Sequence, residues 1–270
     1  MAGPDSHPLT PVPLAWKLFM LSPRALILRA PGTNCDHETA YALERAGAIS
    51  RRVHVRALAQ KPALADDSQI LCIPGGFSYG DDIASGRIFS LELKTRLADL
   101  LARFRDRGGV VLGICNGFQV LMQTGLLVAD GNGQPRASLA HNTSGQFTDR
   151  WVQLRAAPGR CVLLQGLDAP FDLPVAHGEG RFVSRSPADF ESLAAAGQLV
   201  LRYAPHACNP NGSEGDVAGV CDTTGRVLGL MPHPERFLDA TQHPAWNSHL
   251  DAAASGVGLT IFANAVKAVG

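Results

Sequence analysis

The sequence predicts an α/β protein: a doubly wound, mainly parallel sheet flanked by helices, with a small antiparallel hairpin region. Three observations point there. Short, almost wholly apolar runs at 25–29, 69–73 and 109–114 suit strands covered on both faces. These runs alternate with stretches whose apolar residues recur at helical spacing, the pattern of βαβ units. Near the far end, apolar segments 217–222 and 227–231 bracket the turn Thr223-Thr224-Gly225, a hairpin signal.

Taken in order, residues 1–23 are proline-rich and read as an N-terminal arm, ahead of a single domain over 24–270. The arm's apolar patch at 14–21 is interrupted by Lys17 and is too short to span a bilayer. It also lacks the basic start, longer apolar core and small-residue cleavage site of a secretory signal. A strand over 25–29 then leads through the turn 31–36 into a helix over 36–46, which Gly47 is placed to end. Further strands are expected at 51–55 and 69–73, a helix at 91–107, and a strand at 109–114. After Cys115, Phe118, Leu121 and Met122 recur at helical spacing, so the periodicity switches within about two residues. Beyond that helix come a strand at 151–156, a polar Gly-rich loop at 176–181, a strand at 199–203, the hairpin, and a C-terminal helix.

Composition excludes several classes. Lys+Arg and Asp+Glu are equal at 24 each, so no net field draws the chain to nucleic acid or to anionic lipid. With 46% hydrophobic residues in 270, a full core is within reach. The six cysteines (35, 72, 115, 161, 208, 221) are scattered without a Cys-x-x-Cys pair, which suits a reduced cytoplasmic protein with no metal centre.

The chemistry concentrates at Gly113-Ile114-Cys115-Asn116-Gly117, the cysteine counterpart of the Gly-x-Ser-x-Gly nucleophile elbow. A residue held in a strained turn, at roughly 1–3 kcal/mol, projects clear of a sheet only if its neighbours on either side lack bulk. The following helix N-terminus and a nearby histidine both favour thiolate over thiol. One more buried cysteine is the plain alternative, but paired glycines and a change of periodicity favour a nucleophile. After the third strand, Pro74-Gly75-Gly76 lets backbone amides face a ligand; with the amide of Asn116, that of Gly76 would complete an oxyanion hole, each donor worth about 2.7–4 kcal/mol of barrier. His233 and Glu235 flank Pro234 in an extended segment, so the carboxylate can brace the imidazole as general acid and base for Cys115. His177 is the next candidate, with a hydrogen-bonded loop histidine as its plainer reading. A cysteine nucleophile, an oxyanion hole and a base specify acyl transfer; amide, ester, thioester and peptide substrates all stay open.

The elbow 113–119 with Pro232-His233-Pro234-Glu235 resembles the class I, triad-type glutamine amidotransferases. Four longer segments, RAPGTNCD at 29–36, PGGFSYGD at 74–81, HGEGRF at 177–182 and NPNGS at 209–213, narrow the resemblance to the glutaminase subunits of phosphoribosylformylglycinamidine synthase. That resemblance implies Cys115, His233 and Glu235 as the triad, Gly76 and Asn116 as oxyanion-hole amides, and Gln119 beside bound glutamine. It also implies ammonia passed to a separate ATP-using synthetase subunit, often with a small third protein, and hence no cofactor in this chain; ATP and Mg2+ belong to the partner. No Gly-x-x-x-x-Gly-Lys-[Ser/Thr] loop occurs here. Departures from the family pattern fall at 82–90 and at Gln146. The other readings are a glutaminase feeding another acceptor, a cysteine amidase or peptidase on the same scaffold, and a non-catalytic subunit.

Overall fold

The computed structural model describes residues 22–270 apart from 158, 206, 207 and 250. Most of the arm 1–23 therefore lies outside the described residues. The main sheet has nine strands in the order β2-β1-β3-β4-β11-β10-β9-β6-β7. Its parallel half comprises β1 (Arg24–Arg29), β2 (Ile49–His54), β3 (Ile70–Ile73), β4 (Val110–Ile114) and β11 (Val227–Leu230). β10 (Val217–Cys221), β9 (Leu201–Tyr203), β6 (Thr148–Ala156) and β7 (Phe171–His177) continue it antiparallel. The hairpin read from 217–231 is thus the seam between two halves, and antiparallel pairing runs three strands beyond its first member.

Apolar sequence explains the central position of β3, β4 and β11: every residue of ILCI, VVLGI and VLGL is buried. Such strands are stable only with both faces covered. Helices α1 (Asp36–Arg45) and α2 (Val55–Gln60) join the outer parallel strands, while α3 (Arg87–Arg96) and α4 (Ala98–Asp106) join β3 to β4. The step from β1 to β2 runs opposite to those from β2 to β3 and from β3 to β4, so right-handed crossovers place α1 on one face and α2, α3 and α4 on the other. α5 (Asn116–Thr124) packs beside α3, and α8 (Val257–Lys267) beside α1, with α6 (Pro187–Ala195) and α7 (Trp246–His249) between α5 and α8 in the chain.

Two sequence expectations are corrected, and one element is new. The helix expected over 91–107 begins at Arg87 and breaks at Leu97, whose φ of −133° and ψ of 8° are not helical. No glycine or proline marks that break, and Leu93, Leu97, Leu100, Leu101 and Phe104 stay buried across it, so the apolar rhythm hides the kink. The loop expected over 176–181 shrinks to 178–180, because β7 reaches His177 and β8 (Arg181–Ser184) starts directly after. β8 pairs with β5 (Ala137–Ala140) in a small second sheet that the sequence did not announce.

The glycines of the elbow are required by close approach. A Cβ at Gly117 would lie 1.8 Å from the Ile73 carbonyl oxygen, and one at Gly113 would lie 2.5 Å from Leu121 Cδ1. Gly117→Ala should accordingly cost about 1–3 kcal/mol through overpacking, read as a lowered denaturation midpoint. Gly131→Ala, where a Cβ meets nothing within 4 Å, should leave the midpoint within about 0.5 kcal/mol.

Candidate active site

Because β1, β3, β4 and β11 run the same way, the segments leaving their carboxyl ends emerge on one edge of the sheet. Those segments carry Cys35, Gly75–Gly76, Cys115 and His233 respectively. Sequence separations of up to two hundred residues are erased by strand direction alone.

Cys115 joins β4 to α5 with φ +51° and ψ −106°, a left-handed conformation that side-chain-bearing residues rarely hold. Its amide donates to Leu230 O at 2.8 Å, tying the bend to β11. The thiol donates to Ala176 O at 3.6 Å. Asn116 opens α5, so its amide has no earlier carbonyl of that helix to pair with. Its side chain donates to Asp81 Oδ1 at 3.2 Å and to Gln119 Oε1 at 3.0 Å. Gln119 in turn donates through Nε2 to Glu179 O.

Gly76 has φ +135°, and a Cβ there would come within 2.8 Å of the Asn34 amide nitrogen. Only glycine fits this position, which pairs with Thr33 in an isolated bridge. A cavity of about 250 Å3 opens over Gly76, Cys115 and Gln119, walled by Asp81, Ser85, His177 and Glu179. Exposed Phe77 and Phe147 stack at 6.4 Å between centroids on its rim.

His233 follows β11 at 1% exposure, with its amide bonded to Pro174 O at 2.8 Å. Its Nδ1 lies 2.6 Å from Glu235 Oε1, and the Glu235 side chain is wholly buried. Burial alone would push the imidazole pKa down. The charges of Glu235 and Cys115 outweigh it, so His233 titrates well above the usual histidine range. With Nδ1 engaged by the carboxylate, Nε2 faces the site with no ordinary hydrogen-bond partner. The structure thus brings Cys115, His233, Glu235, Gly76, Asn116 and Gln119 to one crevice.

His177 takes the plainer of its two readings. Asn142 donates through Nδ2 to His177 O and Gln146 O, which leaves its Oδ1 to accept from Gly180 N and from His177 Nδ1 at 3.1 Å. A Cβ at Gly180 would strike the ring at 2.4 Å. Asn211 Nδ2 donates to Gly180 O, and Ser213 Oγ accepts from the Phe182 amide, so HGEGRF and NPNGS form one polar knot beside the cavity. Burial, then the nearby charge of His233, lowers the His177 pKa to about 4.

Sequence reasoning attached no role to Asp81, Glu179 or Phe147. Asp81 holds both Asn116 and the Gly86 amide, and burial is the main cause that raises its pKa. Its presence in PGGFSYGD was the one available signal.

Compared with known proteins, residues 22–269 match the CobB/CobQ-like glutamine amidotransferase domain. The chain belongs to this amidotransferase family. Within it, phosphoribosylformylglycinamidine synthase subunit PurQ of Dehalococcoides mccartyi is 43% identical over 90% of this chain and 96% of its own. The subunit of the same name from Methanococcus maripaludis is 38% identical over 91% and 98%. Among solved structures, PurLQS of Thermotoga maritima contains a chain that superposes with a TM-score of 0.73 at 30% identity, covering 92% of this amidotransferase and all of that chain.

The depressed pKa of His177 has a measurable consequence. The unfolded chain takes up its proton near pH 6.5 and the folded one near 4, so between those values the unfolded state binds more protons. Stability should fall as pH drops through this window, by roughly 1.4 kcal/mol per unit from this group. His177→Asn, which keeps a donor for Asn142, should flatten that slope in denaturation measured from pH 7 to 4.5.

Proposed function

We propose that this amidotransferase is the glutaminase subunit of a phosphoribosylformylglycinamidine synthase, hydrolysing glutamine to glutamate and delivering ammonia to a synthetase partner. One observation carries the reading: a cysteine on a strained bend shares a crevice with an imidazole whose far nitrogen is fixed by a buried carboxylate. Its likeness to PurQ subunits along most of its length selects the acceptor reaction.

In this mechanism Cys115 thiolate, paired with His233 imidazolium, attacks the side-chain amide carbon of glutamine. The carbonyl pair moves onto oxygen, and the amides of Gly76 and Asn116 receive that oxyanion. His233 Nε2 returns its proton to the leaving nitrogen; ammonia departs and a glutamyl thioester remains on Cys115. The neutral imidazole then takes a proton from water, the hydroxide attacks the thioester, and glutamate leaves as the thiolate is restored. Glu235 holds the Nδ1–H tautomer throughout. Gln119, on the cavity wall, contacts the substrate.

Ammonia released into water at neutral pH is protonated and loses its nucleophilicity, so a partner must take it directly. We assign ATP and Mg2+ to that synthetase subunit, with a small third protein in the complex, and place the reaction in the cytoplasm. All six cysteines are free, as a reducing compartment would keep them. Among the described residues, no helix is long and apolar enough to cross a membrane.

In the assembled complex, Cys115→Ala should abolish glutamine-supported formation of formylglycinamidine ribonucleotide while ammonium salts still support it. Loss of neither activity would refute the assignment. Glu235→Gln should lower kcat for glutamine hydrolysis by on the order of 10²–10⁴, because it favours the wrong tautomer of His233.

A further inference from the structure

RAPGTNCD ends in a cysteine for which the mechanism has no use. Cys35 caps the N-terminus of α1 and is 1% exposed. The loop bearing it is clasped against the turn after β3, with Thr33 bridging Gly76 and the Cys35 amide donating to Gly75 O at 3.3 Å. The clasp lays its thiol beneath the reacting groups. A Cβ on Gly75 would be 2.9 Å from His233 Cε1, 3.3 Å from Cys35 Sγ and 3.5 Å from Cys115 Cβ. Three functional side chains therefore converge on the space that the missing methyl leaves.

We propose that Cys35, His233 and Glu235 form a binding site for one thiophilic divalent cation, with Zn2+ as the probe, and that its occupancy silences the site. One donor atom from each of the three lies within 4.8 Å of the other two, and all three residues are buried. Donors sharing a tetrahedral zinc sit roughly 3.3–3.8 Å apart, so side-chain adjustments of about 1 Å close the set. Two buried atoms await a partner: His233 Nε2, which catalysis explains, and Glu235 Oε2, which it does not. Arg236 Nη2 donates to Cys35 Sγ at 3.2 Å, so the sulfur already meets a cationic partner. Thiolate and imidazole together select zinc-like ions over Mg2+ or Ca2+. Thiolate and carboxylate also supply two negative charges against the two of the ion.

Binding releases the Cys35 thiol proton and one imidazolium proton to solvent; with one ring nitrogen on the metal and the other carrying the remaining proton, His233 has no lone pair left to take a proton from Cys115. The inhibitory consequence rests on the glutaminase reading above; the binding itself does not. Zn2+ affinity is measured by competition with a chromophoric chelator on the full-length wild type, Cys115→Ser and Cys35→Ser proteins. We expect one site on the wild type, retained within threefold in Cys115→Ser and weakened at least thirtyfold in Cys35→Ser. On the Cys115→Ser protein, Co2+ should show thiolate-to-metal charge-transfer absorption, which Cys35→Ser should remove from the wild type. In glutaminase assays the concentration of Zn2+ giving half inhibition should rise in Cys35→Ser by the same factor as the dissociation constant, and chelation should restore turnover. Affinity unchanged in Cys35→Ser would put the ion elsewhere, and affinity lost in Cys115→Ser would put it on the nucleophile; either result overturns the site. Because binding is read on protein without the nucleophile, a chain that binds Zn2+ but hydrolyses no glutamine would refute the functional reading alone.

Discussion

Cys115 holds φ +51° and ψ −106° between the last residue of β4 and the first of α5, and the surrounding structure is arranged to keep it there. The strain of such a conformation, of order 1–3 kcal/mol, persists only where neighbours over-determine it. Here the Leu230 carbonyl holds the bend's amide, and the backbone of α5's first turn passes so close to β3 that residue 117 can carry no side chain. Were the bend to relax into a helical or extended conformation, the thiol would turn into the sheet and the helix N-terminus would no longer point at the cavity. The buried strands on both sides make that relaxation costly, since β3, β4 and β11 have no exposed residue through which to shift.

Charge is distributed with the same economy. Two imidazoles, His177 and His233, lie near one another and are pushed in opposite directions: the first well below the usual histidine range, the second well above it. Burial acts on both. The difference is the partner, a neutral amide oxygen for His177 and a buried carboxylate for His233. One proton thus has a defined place in the crevice, and the His177 ring packs as a wall without competing for it.

How much of this could be read from sequence depended on whether a feature was local. The elbow was legible because glycine spacing, an apolar strand and the helical run after it lie within a dozen residues. His233 and Glu235 were legible as a pair, but the extended segment expected to align them is a 3-10 turn over Pro234–Arg236, and it is that turn that brings the carboxylate back to the imidazole it follows. β7 escaped notice because Pro174 sits inside it, and proline argues against a strand. Its place at the edge of the sheet makes that proline tolerable, and its carbonyl anchors His233. The convergence of Cys35 on His233 is wholly tertiary, created by the order in which β1 and β11 enter the sheet, and no spacing in the chain records it. The polar knot of 177–182 with 209–213 was visible as two motifs but not as one structure, since the Asn211 to Gly180 bond spans thirty-one positions.

The seam between the two halves of the sheet carries a consequence for how the molecule comes into being. β4 gains its second neighbour only when β11 arrives, pairing Val111 with Val227, and contacts so distant along the chain form late. Until then the sulfur on the bend has neither its imidazole nor the carbonyl that fixes its amide. A half-made polypeptide leaving the ribosome therefore presents this cysteine without the crevice around it. The crevice is completed at one stroke, when the last parallel strand docks, and no earlier stage of folding assembles the bend with its imidazole.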